Sequence, residues 1–105
     1  MNIFTLTLPD SGSAVVIPHG LGSVPVVIAK LECQTDAGGF AEGDQIDLMQ
    51  CGSAAGMGTL SVVADAVNIT ASAATFSQLF ILPKCGGSPV QQDPQNWRIK
   101  VYAVG

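Results

Sequence analysis

The stretch Ile17-Pro18-His19-Gly20-Leu21-Gly22-Ser23-Val24-Pro25, set between apolar runs at 14–17 and 26–31, limits the possible folds of this chain more than any other segment. Its prolines lack backbone donors and its glycines tolerate positive φ, so strand pairing stops here and the chain bends. A Gly-x-Gly after a strand can form a phosphate loop. Here a proline and further β-branched residues follow, so no helix N-terminus is offered to an anion. The segment reads as a sheet corner, with His19, Gly20, Leu21, Gly22 and Pro25 as its turn motif.

Strand-like alternation recurs along most of the chain, and no stretch has convincing helical periodicity. Phe4, Leu6 and Leu8 share one face, and Val27, Ala29, Leu31 and Cys33 share another, with Lys30 and Glu32 pointing the opposite way. Ile46 and Leu48 point inward, Gln45 and Asp47 outward. The Gly/Ala/Ser-rich segment 51–58 reads as a long loop. Short strands are expected at 59–64 and 67–71, with a tight connection at Asp65-Ala66. The alanine clusters at 54–55 and 71–74 allow at most a short helical turn. An apolar strand is expected at 76–82, a proline-rich loop at 83–96, and a closing strand from Trp97 to Val104 with near-perfect alternation. The pattern predicts an all-β fold, an antiparallel β-sandwich or jelly roll of about eight short strands, as a single domain over 1–105.

Length allows one core without spare chain. Charged residues are only 11% of the 105, against roughly 25% in ordinary soluble domains. This points to surface hidden against copies of the chain or a partner, although Ser, Thr, Gly, Gln and Ala also supply a neutral wet surface. Net charge is −4, and Lys30, Lys84, Arg98 and Lys100 are the whole basic complement. Clustered phosphate neutralisation is therefore not available, and nucleic acid is not an expected partner. No apolar run approaches the ~18 residues of a membrane span, so a membrane is not expected either. The N-terminus alternates like a strand and lacks the basic segment of a signal peptide.

Chemistry-bearing residues are sparse. Cys33, Cys51 and Cys85 are an odd set without C-x-x-C spacing. With His19 they have the composition of a Cys3His zinc site but not its paired ligand spacing, so reduced, buried thiols are the expectation. His19 is the single histidine. A catalytic base needs a nucleophile and an orienting group, whereas a turn histidine needs only backbone to hydrogen-bond, and the second role is expected. Asp36, Glu42, Asp44 and Asp47 are the acidic concentration. Alternation puts Asp44 and Asp47 on opposite faces, against a calcium site; Asp44 is expected to cap its strand and Asp47 to be solvated. The same carboxylates formally allow a glycosidase pair, but nothing else builds a sugar cleft. No metal, cofactor or catalytic residue is expected. Arg98 and Lys100, with Tyr102, are candidate contacts for a partner subunit or a glycan, and the alternative is a solvated strand face.

The order His19-Gly20-Leu21-Gly22 then Pro25, Gly39-Phe40 then Gly43-Asp44, and Asn96-Trp97 then Val101-Tyr102 resembles small β-sandwich modules of tailed-phage virion proteins. Those modules occur at tail-fibre tips and in related surface appendages, and the architecture is similar to H-type lectin-like sandwiches. The resemblance implies a bend at His19–Pro25, a strand start at Gly43 and Asp44, and Trp97 and Tyr102 anchoring the last strand. It implies a homotrimer, assembled in the host cytoplasm and displayed on the virion, with the major capsid protein or an appendage as neighbour. A chain that starts at its own Met1 without a shaft segment makes a head decoration or cement protein a rival to the fibre tip, so a capsid decoration and an appendage subunit both stand as expectations. The expected function is thus a non-enzymatic virion structural protein. The alternative is a carbohydrate-binding receptor module of tail-fibre type, with a host-surface glycan as its partner.

Overall fold

The computed structural model describes residues 1–36, 39–48, 51–53, 56–57, 60–74, 79–82, 88 and 90–105, with 51–53 and 56–57 described by backbone alone. The chain is an all-β antiparallel sandwich. Its strands are β1 (Asn2–Thr7), β2 (Ala14–Pro18), β3 (Val26–Cys33), β4 (Gln45–Asp47), β5 (Cys51–Ser53), β6 (Gly56–Met57), β7 (Leu60–Ala64), β8 (Asn68–Ala73), β9 (Leu79–Ile81), β10 (Val90–Gln92) and β11 (Trp97–Val104). They form three sheets, ordered β1-β11-β3-β4, β10-β9-β5-β6 and β2-β8-β7. The Cα dimensions, 43 × 26 × 18 Å, suit two layers about 10 Å apart.

The first sheet is built on β11, whose strict alternation buries Trp97, Ile99, Val101 and Ala103. Hydrogen bonding to β1 on one side and β3 on the other sets register: Ile99 lies between Leu6 and Leu31. Leu6, Leu31 and Ile99 join Ile69 and Ala71 of β8 and Leu79 and Ile81 of β9 in one continuous core. Trp97 is covered by Phe40, ring centroids 5.2 Å apart and planes at 76°, an edge-to-face pairing favoured by the ring quadrupoles.

Several elements differ from the sequence reading, each for a tertiary reason. The presumed loop at 51–58 contains β5 and β6, because β5 finds a backbone partner in β9. Gly and Ser have little strand preference of their own, so only that partner makes the strand. The presumed loop at 83–96 contains β10, paired with β9, and a 3-10 turn at Pro94–Asn96 capped by the Asp93 side chain. The alanine cluster at 71–74 makes no helical turn, since β8 runs to Ala73 between β2 and β7. These short strands raise the total from about eight to eleven among the described residues. Of the strand expected at 76–82, the part at 79–81 is β9 and the part at 76–78 lies outside the described residues.

Candidate functional site

At the corner, Gly20 and Gly22 take φ of +67° and +78°, the left-handed region that glycine enters without Cβ strain. The His19 ring is buried and clamps two turns together. Its Nδ1 accepts from the Leu21 N–H at 3.0 Å, and Nε2 lies 2.7 Å from the Asp65 carbonyl oxygen. One nitrogen must accept and the other donate, so the ring is the neutral Nε2–H tautomer. The His19 backbone N–H also donates to the Val67 carbonyl. The β2–β3 corner is thereby docked on the β7–β8 turn, which Asp65 organises by accepting from the Val67 and Asn68 N–H groups. The bonds from Asn68 and Val67 hold the Asp65 carboxyl below its ordinary value of 3.8.

The four residues with the composition of a Cys3His site, of which the cysteines are expected as reduced thiols, can be followed only in part. His19 is engaged as described, and Cys33 is a free, buried thiol whose Sγ donates to the Thr35 carbonyl at 2.9 Å. The Cys51 side chain and Cys85 lie outside the described residues. Among the described residues no three His, Cys, Asp or Glu side chains converge as metal ligands. Of the acidic concentration, Asp44 accepts from the Ala41 N–H at 2.9 Å and Asp36 from the Glu42 N–H at 2.7 Å, so both shape the turn before β4. Asp47 is not simply solvated: it pairs with Lys30, its register partner on β3.

The outer face of the first sheet brings Arg98, Lys100 and Tyr102 together, because β11 alternates and every second residue points away from the core. Register places Arg98 opposite Glu32, Lys100 opposite Lys30 and Tyr102 opposite Ile28. Glu32 is the hub, with its side chain only 4% exposed. Arg98 grips Oε1, Lys100 reaches Oε2 at 3.2 Å, and Gln45 donates to Oε2 at 3.1 Å. The Tyr102 hydroxyl donates to Gln45 Oε1 at 2.9 Å. Burial pushes the Glu32 carboxyl up, but the hydrogen bonds from Arg98, Lys100 and Gln45 and the Arg98 charge outweigh it, leaving it below the ordinary 4.5. Sequence reading put Glu32 on this face without recognising the hub. The missing signal was cross-strand register, which alternation alone does not supply.

The same face becomes apolar towards the other end of its strands. Past the charged rungs come Ile3, Tyr102 and Ile28 in one row, then Val104 and Val26. The four aliphatic residues are 56–73% exposed, and Met1, beyond the end of β1, is 82% exposed. On the third sheet a second outward row, Val16–Thr70–Val63, follows from the pairing of β2, β8 and β7, and its two valines are also more than half exposed. A shallow cleft of about 230 Å³ lies where Thr7, Asp10, Gln34, Pro94 and Gln95 meet the edge of Trp97. Trp97 itself is 1% exposed, so its ring offers no stacking face there. Among the described residues no helix is long and apolar enough to cross a membrane. Compared with known proteins, the chain matches no family model, no curated protein and no solved structure.

Proposed function

We propose that this chain is a non-enzymatic structural subunit displayed on the surface of a tailed-phage virion, a capsid decoration protein or an appendage subunit that works as a homo-oligomer. The observation that carries the reading is the pair of exposed aliphatic rows on the two outer faces of a domain with few charges. Exposed contiguous apolar rows are a liability in an isolated monomer and an asset in an assembly. The virion setting rests on the order of the turn and strand motifs described above. Under this reading Arg98, Lys100 and Tyr102 set the shape of the contact face, since their polar atoms already bond to Glu32 and Gln45.

Quantitative mass spectrometry of purified particles tests the proposal. A decoration protein is present at a copy number comparable to the major capsid protein, and an appendage subunit at a small multiple of its oligomer. Absence of the chain from purified particles contradicts the proposal. Selective retention on a glycan array, abolished by Tyr102→Ala, would replace it with the receptor reading.

A further inference from the structure

The charges of this protein are segregated. Lys30, Arg98 and Lys100, the basic side chains among the described residues, all lie on the outer face of the first sheet. They share it with two carboxylates, Glu32 and Asp47. The remaining acidic side chains, including Asp65, lie elsewhere. The outer face of the third sheet has no basic side chain among its strand residues and ends at Asp65, two residues beyond Val63 in the outward phase of β7. On the first sheet, Lys30 and Lys100 lie two residues from Ile28 and Tyr102. Each face therefore has an aliphatic row with a charged rung about 7 Å along the strand: Lys100 and Lys30 with its ion-pair partner Asp47 on the first sheet, a net positive rung, and Asp65 on the third.

We propose that the outer face of the first sheet of one copy docks on the outer face of the third sheet of the next copy. The inference rests on the assembly reading and names the partner of that surface: a second copy of this chain, joined head to tail. Ile3, Ile28, Val26 and Val104, 56–73% exposed, lie on one face with Met1, 82% exposed, and a contiguous exposed apolar patch of this kind marks an interaction surface. Charge chooses between the two faces that could cover it. Like against like brings two cation-rich faces together, whereas first against third sets Val16 and Val63 over Ile28 and Ile3 and brings Asp65 towards Lys30 and Lys100. A head-to-tail contact is heterologous, the kind any ring of three requires, and it propagates where the rotation does not close.

The test uses two surface variants, Ile28→Lys and Val63→Lys, both at outward positions more than half exposed. Circular dichroism and a thermal melt establish that each is folded. Light scattering is then run on wild type, each variant, and their equimolar mixture. The expected result is an associated wild type, two monomeric variants, and a dimer in the mixture. That dimer forms because the intact third sheet of one variant meets the intact first sheet of the other. Association that survives Val63→Lys, or a mixture that stays monomeric, overturns the inference. If a variant fails to fold, Ile28→Thr and Val63→Thr replace the pair, with a tenfold weaker association as the expected reading and unchanged association as the contrary one. A monomeric wild type that is nevertheless found on particles overturns this contact and the homo-oligomer with it, and leaves the virion-subunit part of the proposed function standing.

Discussion

The most consequential single residue is Glu32, a nearly buried carboxylate held by a guanidinium, an ammonium and an amide. Glu32→Ala would leave Arg98 and Lys100 facing each other without their counter-charge. Both cations keep partial solvent contact, so the expected loss is about 1–3 kcal/mol rather than that of a fully buried pair. The sign of the pH effect follows from the depressed carboxyl. Its stabilisation is present above the ordinary value of 4.5 and is lost as pH falls through the lower folded-state value. Chemical denaturation of wild type and Glu32→Gln should therefore show a gap at neutral pH that narrows below pH 4.5; a gap independent of pH would contradict the assigned network. At the corner, a Cβ on Gly22 meets nothing within 4 Å, so any penalty is conformational. Gly22→Val is expected to cost about 1–3 kcal/mol and Gly22→Asn less, because asparagine tolerates the left-handed region. Equal losses would point instead to a steric cause.

At the scale of elements, the central strands were the legible ones. The alternation of 97–104 and 26–33 gives their bounds and buried faces without help from the rest of the chain, since each carries long apolar rows at period two. The two-residue Gly56–Met57 strand and the three-residue strands at 51–53 and 90–92 were not legible. Their backbones are organised by partners distant in sequence, as Cys51 is by Ile81. For the same reason, the sequence marks a bend at His19 without showing that the bend docks on the 65–68 turn, 46 residues away. The candidate contact face was legible as a phase, with Arg98, Lys100 and Tyr102 on one side of a strand. Its hub was not, because Glu32 meets Arg98 only after β3 and β11 pair in register. Amide hydrogen exchange should rank the strands by position: β11, hydrogen-bonded on both sides, slowest, and the edge strands β1 and β4 faster. Uniform protection across the first sheet would contradict that order.

For the whole molecule, the sheets share one core while the outer faces of the first and third keep aliphatic rows in solvent. A chain with 11% charged residues has little to offset such rows, so association is the expected way of covering them. The distribution of charge adds direction, with a cation-bearing face on one side and acid-bearing surfaces elsewhere. The most direct measurement is the molar mass of the purified protein by light scattering across a concentration series from micromolar upward. The predicted result is a mass at a multiple of the 10.7 kDa chain, reduced by Ile28→Lys in a folded protein. A mass that stays at 10.7 kDa throughout the series would contradict the account of this protein as a self-assembling subunit.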